Sequence, residues 1–335
     1  MTMHITIHDV AREAEVSIAT VSNTMNRPAR VSADTRARVL ATVDRLGYVP
    51  HAIAAHRSRT TRKRIGIIAP FTTYQSFAVR IQGMLAVLGA DHIEPIVFDH
   101  PSASRSPSPR LLTLPFSGEL DGLVIMGIPV DTGLAERLRN RELPTVLVDS
   151  RHPDFTSVVL DEEVGARLAA EHLVSRGFTR FVYVTEGQIS NDYISQGRRR
   201  FTGFVNALRD LGVGDDAVAC ITARSGDAAA GHSAAEPISR MAAHERVGVL
   251  AGHDLLAAGI LAGLRAASTP VPERVGVVGW DGGELVEALG VSTIRQPLVE
   301  SGRVGAQRLV ALMRDPDTPV ERVVIEPALV VGTTS

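Results

Sequence analysis

The reading of the chain turns on residues 6–26, Thr6-Ile7-His8-Asp9-Val10-Ala11-Arg12-Glu13-Ala14-Glu15-Val16-Ser17-Ile18-Ala19-Thr20-Val21-Ser22-Asn23-Thr24-Met25-Asn26. Thr6 supplies a side-chain oxygen to cap a helix, and Ile7, Val10, Ala11 and Ala14 recur on one face behind it. Glu15-Val16 makes a tight turn, and Ser17 caps a second helix, Ile18 to about Met25, that buries Val21 and Met25. Two helices of about eight residues joined by a turn of about three form a helix-turn-helix. Small Ala11 and Ala14 let the two helices approach, and Val16 and Val21 fill the space between them.

The second helix presents Ser17, Thr20, Ser22 and Asn26, short side chains that suit phosphate oxygens. Ile18 and Ala19 offer apolar contact to thymine methyls, and Asn23 can bond an adenine edge. Ser32 caps a third helix with Val39, Val43 and Leu46 on one face; Gly47 stops it and Pro50 soon follows. A three-helix bundle with no nucleic-acid role would need the same helices, and charge argues against it. Residues 1–64 carry eleven Arg and Lys against five acids, a net +6, whereas residues 65–335 are −8. A basic module on an acidic body fits a polyanionic partner.

The motif is also specific as a resemblance. Thr6 to Ala11, Val16 to Ser22, Asn26, Val31-Ser32, Thr35-Arg36 and Leu46-Gly47-Tyr48-Val49-Pro50 follow in order and without a gap the headpiece of the LacI/GalR repressor family. By that resemblance Ile18, Ala19 and Asn23 hold the base-reading positions, Arg30 a further base contact and Tyr48 a phosphate contact. Thr6, Ile7, Ser32 and Thr35, from the same motif, count with the DNA-contacting residues.

Two positions depart from the family. Its turn is usually Gly, and here it is Glu15; a left-handed backbone there costs a non-Gly residue about 1 kcal/mol. The hinge after Pro50, which in the family turns helical on operator DNA and wedges a Leu into the minor groove, has no Leu between His51 and Arg64. Arg57 takes the wedge position, with Ala54 and Ser58 on the same segment. An Arg there is drawn to a narrow A/T-rich groove and kinks the duplex less than an aliphatic wedge, or it touches phosphate alone.

Beyond the hinge, short apolar runs recur, among them Ile65–Ala69, Ile96–Phe98, Leu123–Met126, Val146–Val148, Phe181–Val184, Val247–Ala251 and Val275–Gly279. Helical patterns lie between most of them, such as Val164–Ser175, Arg198–Leu211 and Leu255–Ala267. The alternation implies parallel sheets covered on both faces, and there are too many units for one sheet. The expected fold class is therefore an all-α helix-turn-helix headpiece plus an α/β two-lobed core. The family resemblance extends through this core, which is similar to periplasmic sugar-binding proteins. Its pieces include Arg200-Phe201-Thr202-Gly203-Phe204, His253-Asp254-Leu255-Leu256-Ala257-Ala258-Gly259 and Val277-Val278-Gly279-Trp280-Asp281. The expected layout is a headpiece over 1–50, a hinge over 51–64 and a core over 65–335. Its N-lobe takes about 65–158 and 295–321, and its C-lobe about 159–294 and 322–335.

In such folds ligands bind beyond the carboxyl ends of the strands, here between the lobes. The resemblance puts Arg200 and Asp281 at that cleft, a pair suited to vicinal hydroxyls unless it is spent on ion pairs within a lobe. Phe71, Tyr74 and Phe77, after the first strand, offer faces for a sugar ring, and Asp149 is a further candidate. His253 and Glu162 stand where the sugar-type pattern often has Asn. Protonation of His253 would make effector affinity depend on pH near 6–7. A sugar or sugar derivative is the first expectation for the effector, a nucleoside the next. Trp280, the only Trp, reads as core.

Other classes fit poorly. A composition of 44% hydrophobic and 21% charged residues is that of an ordinary folded protein and argues against disorder. Neither a membrane-length apolar stretch nor an N-terminal apolar signal is read, so a cytoplasmic protein with no membrane partner is expected. Lone Cys220 forms no internal disulfide, and no Cys/His spacing resembles a zinc site, so neither metal nor cofactor is expected. No P-loop, nucleophile elbow or HExxH occurs, and adjacent Asp161, Glu162 and Glu163 do not face one another, so no catalytic residue is assigned. A periplasmic-type solute-binding protein without a DNA role is the alternative; it would not need the basic headpiece. The expected partners are a near-palindromic double-stranded operator, a second copy of the chain in a homodimer, and a small-molecule effector.

Overall fold

In the computed structural model, which describes residues 5–46, 48, 63–100, 120–187 and 194–335, the headpiece begins with a reciprocal cap. The Asp9 amide donates to the Thr6 hydroxyl at 3.4 Å, and the Thr6 amide donates to Asp9 at 2.9 Å. Helix α1 (Ile7–Glu13) is followed by α2 (Ile18–Asn26), capped by Ser17, and α3 (Ala33–Leu46). Val10, Ala11, Ala14, Val21, Val39, Leu40 and Val43 close a small core. Glu15 in the turn does take a left-handed φ, of 51°, as its place in the motif implies.

The core has two six-stranded sheets. The first holds β1 (Arg64–Ala69), β2 (Glu94–Asp99), β3 (Gly122–Met126), β4 (Thr145–Val148), β5 (Ser157–Leu160) and β11 (Arg322–Ile325). Its order is β11-β5-β4-β3-β1-β2, all parallel. The second holds β6 (Arg180–Glu186), β7 (Val218–Ala223), β8 (Val247–Ala251), β9 (Val275–Asp281), β10 (Ser292–Arg295) and β12 (Ala328–Val330). Its order is β12-β10-β9-β8-β6-β7, with only β12 antiparallel. Strands such as Leu123–Met126 and Val247–Ala251 are buried along their whole length, because helices cover both faces of each sheet.

The helices of the first lobe are α4 (Gln75–Ala90), α5 (Thr132–Asn140) and, after return of the chain, α11 (Leu298–Arg314). Those of the second are α6 (Glu162–Ser175), α7 (Gln196–Asp210), α8 (Ala228–Ala242), α9 (Asp254–Ala266) and the short α10 (Glu284–Ala288). Helices α4 and α11 cross at Gly83 and Gly302; a Cβ at Gly302 would run into the Arg80 carbonyl, and one at Gly83 into that of Val299.

The chain passes between lobes three times, near Asp161, at Gln296-Pro297 and at Glu326-Pro327. The first and third passages touch, the Asp161 amide donating to the Ile325 carbonyl at 3.0 Å. This corrects the expected lobe boundaries. Arg322–Ile325 pairs with β5 in the first lobe, not the second, and Val159 and Leu160 likewise stay in the first sheet. The headpiece meets the first lobe through Arg137, which donates to Asp44 at 3.0 Å, and Arg141, which donates to the Tyr48 carbonyl at 2.6 Å.

Candidate functional sites: a DNA-reading helix and an interlobe cleft

On α2, Ile18 is 42% exposed, Ala19 is exposed, and Asn23 and Ser22 are half-buried. The Ser17 hydroxyl is occupied in capping, accepting from the Thr20 amide at 3.0 Å, and lies 2.9 Å from the Thr20 hydroxyl. Thr24, between the candidate readers, is fully buried and donates to the Thr20 carbonyl at 2.9 Å, so it reads no base. Arg30 lies exposed as the last residue of the short turn of helix at Pro28–Arg30. Thr6 and Ile7 are half-buried at the start of α1. At α3 the Thr35 amide donates to the Ser32 hydroxyl at 3.4 Å. Tyr48 does not match its expected role in this structure: only 5% of it is exposed, it packs in the headpiece core, and burial pushes its phenol up. Ala54, Arg57 and Ser58 lie outside the described residues, and so does the Asn26 side chain.

The second site is a cavity of about 100 Å³ between the lobes. Tyr74, Phe77, Asp149, Arg200, His253 and Asp281 all line it, so six of the seven expected effector residues are brought together. Phe71 is not among them; it packs half-buried against the apolar core of the first lobe. Two carboxylate residues occupy strand ends with unusual backbone, Asp149 after β4 at φ 53° and Asp281 closing β9 at φ 112°. Such conformations persist where surrounding structure enforces them. For Asp281 the enforcement is visible: Asp254, in the first turn of α9, accepts from the amides of Gly282 and Gly283 at 2.8 and 2.9 Å and from the Thr293 hydroxyl at 2.8 Å.

The buried charges are paired differently from the expected Arg200–Asp281 arrangement. Arg200 donates through Nε to Glu162 Oε2 at 2.7 Å, through Nη2 to Oε1 at 3.3 Å, and through Nη1 to the Gly252 carbonyl at 2.5 Å. Its guanidinium lies 4.6 Å from the Trp280 ring centre. Burial alone would lower the Arg200 pKa, but the Glu162 carboxylate more than offsets it and keeps the side chain charged. Arg80, on α4, forms a second buried ion pair with Asp149. The Gln296 amide lies between Trp280 Nε1 and the Asp281 carboxyl, and the orientation that satisfies both has its oxygen accepting from Trp280 and its nitrogen donating to Asp281.

His253 corrects the expected pH response. Burial, helped by Arg200, depresses it to about 4, so it stays neutral through the range where it was expected to switch. Asp281 is the group displaced toward neutrality, pushed up to about 7 by burial and by Asp254 against the pull of Arg200 and Arg80. Direct bonds tie the lobes together over the cavity: the Tyr74 hydroxyl donates to Glu186, and Gln196 Nε2 donates to the Asp149 carbonyl at 2.5 Å. Arg80, Glu186 and Gln196 were not among the expected residues. Arg80 had a signal, a lone charge among Ala78, Val79 and Ile81; Glu186 and Gln196 had none in the sequence. Among the described residues there is no group of side chains able to hold a metal ion, and no helix is long and apolar enough to cross a membrane.

A helix-turn-helix headpiece on a two-lobed α/β core with an interlobe cleft defines a class: DNA-binding transcriptional regulators built on a periplasmic-binding-protein-like core. The family comparison agrees. Residues 6–51 match the model for bacterial regulatory proteins of the lacI family, and residues 170–335 match the periplasmic binding protein-like domain, together well over half the chain. The chain belongs to the lacI family and is a DNA-binding transcriptional regulator. It is 26% identical to catabolite control protein A of Priestia megaterium over 93% of each chain. It is 28% identical to the HTH-type transcriptional regulator MalR of Streptomyces coelicolor, covering 98% of this chain and 96% of that one. Among solved structures, the transcriptional regulator CelR–cellobiose complex superposes with a TM-score of 0.70 at 23% identity, over 99% of this chain and 100% of the other. The lac repressor dimer bound to operator and the anti-inducer ONPF superposes with a TM-score of 0.70 at 21% identity over 99% of each.

Proposed function

We propose that the chain is a cytoplasmic, homodimeric repressor whose grip on a near-palindromic operator is set by a small polar effector held in the interlobe cleft. A sugar or sugar derivative is the first candidate class, and the chain acts by binding, not as an enzyme. The observation that carries this is the cleft itself: Tyr74, Phe77, Arg80, Asp149, Arg200 and Asp281 converge from both lobes on one cavity. Such convergence of aromatic faces and buried polar groups is the usual form of a small-ligand site. Related regulators support the class, one solved with cellobiose and another, from Enterococcus faecium, with bound ribose.

In this reading Ile18, Ala19, Asn23 and Arg30 read bases, and Ser17, Thr20 and Ser22 approach phosphates. Each protomer covers one half-site, and ligand-driven movement of the lobes changes the spacing of the headpieces. The cavity of about 100 Å³ is small for a hexose, so entry requires the lobes to part and the Tyr74–Glu186 and Gln196–Asp149 bonds to be exchanged for bonds to ligand. The test is a melting-temperature screen of sugars and nucleosides on full-length protein, repeated with operator duplex present. A compound that raises the melting temperature by several degrees and shifts operator affinity supports the reading. A protein that retains no duplex even at low salt, where phosphate contacts are strongest, would overturn it.

A further inference from the structure

The cleft contains two guanidinium groups, and each already has a carboxylate of its own. Arg200 is held in a fork by Glu162, with Nε–Oε2 at 2.7 Å and Nη2–Oε1 at 3.3 Å, and Arg80 is paired with Asp149. All four side chains are buried or nearly so. A ligand hydroxyl that sought either cation would compete with a buried ionic partner fixed in place, an exchange that leaves a carboxylate unpaired. The departure at Glu162 is therefore more than a change of hydrogen-bonding group: it neutralises the arginine that would otherwise face the ligand.

Asp281 is left over. Its carboxyl lines the cavity beside the Gln296 amide, and it forms no ion pair among the described residues. The charged groups around it are Arg200 and Arg80, both spent on other carboxylates, with Glu162 and Asp254 adding negative charge. Asp254 cannot share a ligand, since the amides of Gly282 and Gly283 and the Thr293 hydroxyl occupy it.

The remaining wall has the same polarity. Glu186 reaches the cavity from β6, where it accepts from Tyr74. His253 is neutral, and its buried Nε2 has no hydrogen-bond partner among the described residues. Tyr74 and Phe77 line the cavity with aromatic rings, which attract cations, and the Phe77 ring already carries the Arg80 guanidinium 5.2 Å from its centre. The cleft thus offers acceptors, an aromatic wall and an uncompensated carboxyl, and each of its cations is paired with a carboxylate, with the buried Arg80 Nε the one guanidinium donor lacking a partner among the described residues.

We infer that the effector is a small polyhydroxylated amine, such as an amino sugar, whose ammonium group sits against Asp281 where a neutral sugar would leave that carboxyl without a counter-ion. The inference rests on the cleft being the effector site. Glu162 is then a specificity-determining residue, since it removes the positive charge that a neutral or anionic ligand would use. Binding of the ammonium favours the Asp281 carboxylate and drives its proton into solution, so affinity for the amine rises as pH increases toward neutrality.

The experiment is titration calorimetry on full-length protein at pH 7 with matched probes: glucosamine against glucose, galactosamine against galactose, and 2-amino-1,3-propanediol against glycerol. The expected result is at least tenfold tighter binding of at least one amine than of its hydroxyl counterpart. The binding enthalpy of that amine should also change with the ionisation enthalpy of the buffer, as proton release requires. Asp281→Asn should erase the preference; the matched pairs on the unaltered protein give the answer even where that variant folds poorly. A neutral probe that binds as well as its amine partner overturns the inference, and if it also shifts operator affinity the effector reading stands without it. Silence of every probe overturns the inference and withdraws support from the effector reading as well.

Discussion

Arg200 and Glu162 form a two-pronged buried ion pair, with Arg200 laid against Trp280 on one side and bonded to the Gly252 carbonyl on the other. The pair joins α6 to α7 beneath the cleft. Removing one member leaves the other largely buried and without its counter-ion. Glu162→Ala should therefore lower the unfolding free energy by about 3 kcal/mol or more, read from urea midpoints. The double change Glu162→Met with Arg200→Met should recover much of that loss, because an apolar pair of similar volume leaves no orphan charge.

Two cleft residues should contribute opposite slopes to the pH dependence of stability, with Asp254, pushed up to about 6 by burial, adding to the slope of Asp281. His253 is depressed to about 4 in the folded chain, against an ordinary value near 6.5, so its contribution is gained as pH rises through that window. Asp281 is raised to about 7 against an ordinary value near 4. It binds more protons when folded, and its contribution, present at low pH, is lost as pH rises toward 7. Between pH ~4.5 and ~6.5, His253→Asn should become steadily less stable relative to the parent, and Asp281→Asn steadily more so. Urea midpoints across that range decide it, and parallel curves would contradict both assignments.

The Tyr74–Glu186 and Gln196–Asp149 bonds hold the lobes together. Tyr74→Phe keeps the ring and removes one of them. A single hydrogen bond is worth about 1 kcal/mol, so the open form should become roughly fivefold more populated. Faster amide exchange at Thr185–Gly187, with the apolar centre of the second lobe unchanged, would be the signature.

In the headpiece, Asn23→Ala should weaken operator binding by about 1–3 kcal/mol and relax selection at one base pair with the salt dependence unchanged, whereas Arg30→Ala should relax selection at a different base pair and, because it removes a cation, also flatten the salt dependence. Fluorescence anisotropy on a panel of single-base operator variants at two salt concentrations separates the two. Thr6→Ala acts elsewhere, costing the headpiece about 1 kcal/mol through loss of its reciprocal cap with Asp9.

A fifth site of sensitivity lies outside both binding sites. Helices α4 and α11 touch backbone to backbone at Gly83 and Gly302. Gly302→Ala must push α4 aside at the carbonyl of Arg80, so it should destabilise the first lobe by at least 1–3 kcal/mol. It should also shift Arg80 from Asp149, visible as weaker effector binding in whatever fraction stays folded.

The headpiece was legible because its signals are local: Thr6 and Ser17 caps, small Ala11 and Ala14 and the turn lie within a few residues of one another. The strands Leu123–Met126 and Val247–Ala251 were legible for a related reason, since full burial on both faces writes an unbroken apolar run. Ser292–Arg295 and Arg322–Ile325 were missed as strands because each is only four residues long; the first is mostly polar, and the second is defined by a partner strand 165 residues earlier in the chain. Helix α8 was hidden by Pro237 in its interior and by a buried face made largely of Ala, which shows no clear apolar period. In the cleft, motif position was enough to locate Arg200 and Asp281, yet not to say which carboxylate Arg200 would take. That depends on Glu162 lying across from it, 38 residues earlier in the chain. Tyr48 shows the same limit: its place in the motif fits a phosphate contact, and its ring is enclosed by neighbours that only folding assembles.

The three passages of the chain between the lobes give the core an unusual mechanical bond. Each lobe is made of discontinuous stretches, so cutting the backbone at Gln296-Pro297 or at Glu326-Pro327 leaves other covalent links standing. A protease that nicks one connector would yield fragments that still travel as a single particle under native conditions and part only in denaturant. Sequence inserted at one connector would be carried as a side loop, while the other two keep the lobes turning about the same axis.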